Sequence, residues 1–195
     1  MVGMRWVFLA ILVATAISRP SPAAAGGFYF TERFGGASYK GDLARFGTGA
    51  PRLQAGVGVV RGPWAVELYG GGMDPDFFFI DCYGEECAAA LAPTLSFVEW
   101  GADVRRSWRV LRSTWTSWIG LDFVLHGGPR YFIAEGALEG YRGIGLGGGA
   151  TFDANFRVMS MFVDFSTDFL RLQGDGDAFN GQLPGIQIGM RLGWM

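Results

Sequence analysis

Residues 185–195 read Gly-Ile-Gln-Ile-Gly-Met-Arg-Leu-Gly-Trp-Met. Ile186, Ile188, Met190, Leu192 and Trp194 alternate there with Gly185, Gln187, Gly189, Arg191 and Gly193. Successive Cβ atoms leave a strand on opposite sides, so this period of two gives one apolar and one polar or bare face. The apolar face needs either a core or lipid, and the rest of the chain decides between them.

Seven earlier segments repeat the pattern. They cover residues 27–34, 52–60, 64–70, 94–106, 115–126, 141–156 and 159–172, with 183–194 as the eighth. In the sixth, Ile144, Leu146, Ala150 and Phe152 alternate with Gly143, Gly145, Gly149, Thr151 and Asp153. In the first, Phe28, Phe30 and Phe34 share a face that Glu32 interrupts. Most segments reach the 9–11 residues or so that a tilted strand needs to cross a bilayer. The links between them read long, short, long, short, long, very short, long, as in membrane barrels with long outer loops and short periplasmic turns. An even count returns the C-terminus to the periplasmic side where the N-terminus begins. The pattern predicts an all-β chain, a closed eight-stranded antiparallel up-and-down transmembrane β-barrel. One face of nearly every strand is Gly, Asp, Ser, Thr or Arg, the reverse of a soluble lipocalin-like barrel with an apolar lumen.

The 195 residues suit one domain. The apolar run at 6–17 follows Arg5 and leads through Pro20 and Pro22 into Ala23-Ala24-Ala25. A basic start, a short apolar centre and a small-residue exit describe a secretory signal peptide over residues 1–25, leaving a barrel domain at 26–195. Cleavage there removes Arg5 and Arg19 and no acid, so the mature chain is mildly acidic and nucleic acid is not an expected partner. Cys82 and Cys87, in Asp-Cys-Tyr-Gly-Glu-Glu-Cys, have a disulfide as their default state in an exported chain.

The eight alternating segments and their links resemble the small eight-stranded outer-membrane barrels of the OmpA/OmpX kind, over the whole of 26–195. The resemblance implies residence in outer-membrane lipid and insertion by the barrel-assembly machinery, which reads an aromatic residue at the end of the last strand. Here Trp194 is penultimate and Met195 follows, a departure from that pattern. It also implies a structural or surface-interaction role carried by outer loops, with an extracellular ligand or protein as partner. No wall-anchoring domain is expected after the barrel.

The polar faces place Arg33, Arg105 and Arg191 inside with Glu67, Glu99, Asp103, Asp122, Asp153, Asp164 and Asp168. An eight-stranded lumen is just wide enough for side chains to fill it, so these residues are expected to form a plugging ionic network. The competing reading is a narrow pore for ions or very small solutes. Carboxylates outnumber arginines in this set. Trp118 and Phe162 break the alternation and are expected to lie over the inward glycines of residues 141–156, a form of aromatic rescue.

Some eight-stranded outer-membrane enzymes modify lipid A with a His, a Ser and a carboxylate. Their His-x-Ser-Asn pattern is absent; His126 is followed by Gly-Gly-Pro-Arg and is expected at a strand end near the interface. The sequence therefore predicts no enzyme, no cofactor and no bound metal. Acidic residues gather in the outer links, including Asp74, Glu135, Glu139, Asp175 and Asp177, and Phe77-Phe78-Phe79-Ile80 stands beside the cysteines. Arg105, Arg106, Arg109 and Arg112 surround the second turn, where anionic headgroups are one destination.

Overall fold

The computed structural model describes residues 27–75, 94–112, 119–156 and 158–193. Among them are nine strands: β1 (Gly27–Ser38), β2 (Lys40–Gly41), β3 (Gly49–Arg61), β4 (Trp64–Met73), β5 (Leu95–Arg112), β6 (Ile119–Gly136), β7 (Arg142–Phe156), β8 (Met159–Gly174) and β9 (Asp177–Gly193). A short 3-10 helix, Asp42–Phe46, links β2 to β3. All but β2 are long and pair antiparallel with their neighbours in chain order. β9 then pairs with β1, from Tyr29 opposite Gly193 to Ala37 opposite Gly185, and closes the ring. The two residues of β2 only extend the outer end of β9, Lys40 facing Gln182.

The strand count and order follow the sequence pattern, but the ends do not. Residues 107–112, expected as a basic link, continue β5 opposite residues 120–124 of β6. Residues 127–136, expected as loop, carry β6 on to Gly136, with Gly127 and Gly128 paired to Gly148 and Gly147. The last expected loop collapses to a two-residue hairpin, Asp175-Gly176, between the paired Gly174 and Asp177. Both turn residues take positive φ, 45° and 87°, which the short Asp side chain and the bare Gly tolerate. The alternation of long and short links therefore holds less well than the strand count. Extended backbone keeps its hydrogen bonds beyond the lipid belt, and glycine-rich or polar composition there does not end a strand that has a partner.

Outside, the barrel carries an apolar belt. Phe28, Trp64, Val66, Leu68, Trp100, Leu146, Phe165 and Ile188 are all exposed large hydrophobics. Closed backbone pairing and an apolar exterior are the two things that lipid demands of a β structure. Of the predicted lipid-facing closing strand, Ile186, Ile188 and Met190 are outward and Leu192 is half-buried. Trp194 lies outside the described residues, as do Cys82, Cys87, the 77–80 stretch and Trp118.

Candidate functional site

Most inward positions in the middle of the barrel are polar or bare. The buried polar set includes five arginines, Arg33, Arg52, Arg105, Arg130 and Arg191, with His126 and the carboxylates Glu67, Glu99, Asp103, Asp153, Asp164 and Asp168. Strand pleat puts them there: Arg33 on β1, Glu67 on β4, Asp103 and Arg105 on β5, and Arg191 on β9 all share the inward parity of their strands.

The side chains form two connected layers. In the layer nearer the periplasm, Glu67 receives Arg33, Arg105 at 3.3 Å and the Tyr29 hydroxyl, which donates at 2.9 Å. His126 sits between two carboxylates, its Nδ1 3.0 Å from Asp103 Oδ2 and its Nε2 2.7 Å from Asp164 Oδ1. Thr151 donates its hydroxyl proton to the same Asp164 oxygen at 2.7 Å. Arg191 pairs with Asp153 and lies over the Phe162 ring, 4.1 Å from its centroid. In the outer layer, Arg52 is bidentate on Glu99 and reaches Asp168 at 2.5 Å, while Gln54 donates to Glu99 at 2.8 Å. Arg130 joins the layers, meeting Asp168 at 3.0 Å and Asp103 at 2.8 Å. The Tyr69 ring fills the space between, with Arg33 and Arg130 each 5.0 Å from its centroid.

Hydrogen-bond accounting fixes the balance of charge. An imidazole that faces two ionised carboxylates through both nitrogens satisfies them as a double donor, which is the cationic form. With His126 counted so, six buried cations meet six buried carboxylates. The excess of carboxylates expected from the sequence disappears from the buried set, because Arg52, Arg130 and His126 join it, while Asp122, on the same inward face of β6 as Val124 and His126, is only partly buried near the periplasmic mouth. Asp122 lies towards the periplasmic end, paired with the half-exposed Arg109 and accepting from Asn155 at 2.9 Å.

Two further expectations are corrected. His126 is not interfacial: β6 runs on past it, and it is buried in the centre of the network. Phe162 does turn inward, but it covers Gly189 on β9, where an added Cβ would lie 2.5 Å from the ring. The inward glycines of β7 are covered by other groups, Gly147 by Arg130 and Asp168 and Gly143 by Leu172. Aromatic cover over glycine recurs elsewhere: Tyr29 lies across Gly58 and Tyr69 across Gly101.

Above the ionic layers, at the outer end, the lumen is apolar. Tyr39, Leu43, Met73, Leu95, Phe97, Phe132, Leu172 and Leu183 form one buried cluster. Phe97 packs edge-on against Phe132 at 5.9 Å and Tyr39 at 6.1 Å, and the Tyr39 hydroxyl donates to the Leu95 carbonyl at 2.5 Å. Leu43 enters from the 3-10 helix and is fully buried, so the first outer loop folds back into the mouth. Neither this cap nor a luminal place for Arg52 and Arg130 was among the expectations from sequence, whereas Gln54 falls on the polar face of its segment as the alternation predicts. Pleat parity was the available signal for Arg52 and Gln54; for the cap, the cue was the continued period-two pattern of Leu95–Phe97 and Phe132–Ala134.

A search of the solved structures finds Neisserial surface protein A (NspA), with a TM-score of 0.54 at 10% identity, matched over 85% of this chain and 96% of that one. The fold is that of a small outer-membrane barrel. A major outer membrane protein from Thermus thermophilus matches at a TM-score of 0.48 and 13% identity, over 88% of this chain and all of that one. The attachment invasion locus protein Ail of Yersinia pestis, in complex with the heparin analogue sucrose octasulfate, matches at 0.44 and 11%, again over 88% and all of its length. No family model matches the sequence, and no curated protein does. At these identities the likeness concerns the fold alone.

Both nitrogens of His126 are committed to carboxylates, and the neighbouring hydroxyl, Thr151, is bonded to Asp164 rather than to the imidazole. A nucleophile–base pair needs direct contact between the two. Among the described residues no group of three or more His, Cys, Asp or Glu side chains is arranged to hold a metal ion.

Proposed function

We propose that this chain is an integral barrel of the bacterial outer membrane, exported through a cleaved signal peptide at 1–25. Its role is structural or surface-interacting, carried by the outer end, and it is neither a pore nor an enzyme. The observation that carries this reading is the apolar cap of Phe97, Phe132, Leu95 and Leu172 seated above a charge-balanced ionic plug. An ion entering from outside would have to leave water for a hydrocarbon-lined plug and then displace paired side chains, and each step opposes conduction. The lipid of the outer membrane and the barrel-assembly machinery are its partners, with Trp194 as the aromatic signal near the end of β9; an extracellular ligand or protein is the expected partner of the loops.

Liposome swelling tests the proposal. Vesicles holding the refolded mature chain are expected to exclude arabinose and smaller solutes as well as empty vesicles do. Swelling in proportion to the protein added, with a size cut-off, would replace the plugged reading with the narrow-pore one.

A further inference from the structure

The outward face of β7, β8, β9 and β1 carries a shallow groove of about 850 Å³. Its floor is a row of small side chains paired from strand to strand, Gly148 with Thr167 and Thr167 with Pro184, ending at Ser38 on β1. Taller side chains flank it, Leu146 and Phe169 on the outer side and Phe165 and Ile186 on the inner side, all exposed. The groove crosses the strands, so the tilt of the barrel makes it slope. A paired row followed in this direction from Trp64, at the periplasmic end of β4, passes Ala150 and Gly36 and returns to Asp74, just beyond the outer end of the same strand. Each step climbs about 3 Å, for strands about 4.8 Å apart and tilted by about 40°. From Gly148, midway along β7, the groove therefore rises to Ser38 at the outer end of β1. There the wall turns from apolar to basic. Lys40 stands just beyond Ser38, opposite Gln182; Arg171 stands on β8 opposite Asn180, and Arg142 on β7 opposite Gln173. All three are exposed. Each successive cation is one paired row lower on a strand further up the slope, so the three share a level to within about 2 Å. Among the described residues none of them makes an ion pair. Asp42, the carboxylate next along the chain from Lys40, accepts from the Asn180 amide at 2.9 Å.

We infer that this wall is a binding site for a phosphate-bearing lipid of the outer leaflet. One acyl chain lies in the groove, and Lys40 and Arg171 hold the phosphate, with Arg142 adding to their field. The inference rests on residence in the outer membrane and not on the sealed lumen. Three features favour this occupant. The groove spans three strand spacings, about 14 Å, between ridges of exposed apolar side chains, which suits a length of hydrocarbon. Its slope carries the upper end of such a chain to the outer rim beside Lys40, so chain and headgroup sites belong to one molecule. Cations at one level beside a membrane surface attract anionic headgroups, and charge-assisted hydrogen bonds from Arg and Lys to phosphate oxygens add a direct contact. A neutral headgroup would leave the three cations unmatched.

The test is native mass spectrometry of the refolded mature chain, released from micelles that hold phosphatidic acid and phosphatidylcholine with identical acyl chains. The wild type is expected to retain one phosphatidic acid in preference to phosphatidylcholine. Lys40→Gln combined with Arg171→Gln should weaken that retention roughly thirtyfold, as two basic residues at about 1 kcal/mol each imply. Thr167→Phe, which fills the floor of the groove and keeps the cations, should weaken it as well. Arg106→Gln, which removes a cation beside Trp64 at the periplasmic end, should leave it unchanged. Gel mobility with and without heating verifies that each variant is a folded barrel. Equal retention of the two lipids by the wild type overturns the proposal, as does full retention by the Lys40 and Arg171 double variant or by Thr167→Phe. An equal loss with Arg106→Gln, or a wild type that travels as a dimer without lipid, does the same. A leaky lumen would overturn the plugged reading and leave each of these outcomes as it is.

Discussion

Glu67 holds the inner ionic layer together, and replacing it by Gln separates charge from shape. The side chain is fully buried and receives Arg33, Arg105 and Tyr29. Glu67→Gln keeps the volume and an acceptor for Tyr29, but leaves six buried cations facing five carboxylates. Removing one partner of a buried pair costs about 3–5 kcal/mol, because the remaining charge is left in a medium that cannot solvate it. The nearest alternative for Arg33 is Asp103, at 3.9 Å and already shared with His126 and Arg130, so little of that loss is recovered locally. Adding Arg105→Gln restores the balance, and the double variant should regain most of the lost stability; the two changes touch one network, so their effects should not add. Urea unfolding of the barrel in lipid vesicles, followed by tryptophan fluorescence, measures all four corners of the cycle. A loss below about 1 kcal/mol for Glu67→Gln, or strict additivity in the double variant, would mean that water solvates these charges and that the layer is not a dry plug.

The other elements make separate predictions. Phe97→Ala should cost about 3–5 kcal/mol through loss of the ring that packs between Tyr39 and Phe132, read in the same unfolding assay. Nitrogen-15 spectra of the folded chain should show both ring nitrogens of His126 carrying protons; a signal from one unprotonated nitrogen would remove the charge balance described above. Gly101→Ala should destabilise the barrel by about 1–3 kcal/mol, since the new methyl would collide with the Tyr69 ring and push it into Arg33 and Arg130. Gly176→Ala, at φ 87° in the β8–β9 turn, should cost about 1 kcal/mol with no effect on the lumen, and a stabilising result would contradict the assigned turn geometry.

Much of this architecture was legible in the sequence because a membrane barrel enforces its pattern from both sides. Residues such as Ile186 and Ile188 must be apolar to face lipid, and Gln187 and Arg191 must be polar or Gly189 bare to fit the lumen, so parity alone located them. What stayed hidden depends on partners far apart in sequence. Gly127, Gly128 and Pro129 ahead of Arg130 predict a loop, yet pairing with β7 keeps that stretch in the wall. His126 lay beyond inference for the same reason: its two carboxylates, Asp103 and Asp164, come from β5 and β8. Phe162 faces inward as the sequence predicts but covers Gly189 rather than the β7 glycines, since pleat parity gives the face and only the stagger of the strands gives the height. The apolar cap escaped notice because apolar inward residues near a barrel mouth read, one strand at a time, as the end of the lipid-facing pattern. Glu32 was visible as an interruption of its apolar face, and the structure adds that the described part of its own barrel supplies it no partner.

Single-channel recording across a planar bilayer tests the sealed lumen most directly. The refolded mature chain, inserted from either side, is expected to give no steady openings in concentrated KCl, and Phe97→Ala should stay silent while the ionic layers remain. Reproducible openings of the wild-type chain that shift when Glu67 or Asp103 is replaced would contradict the account, because they would place a continuous water path through the side chains described here as a plug.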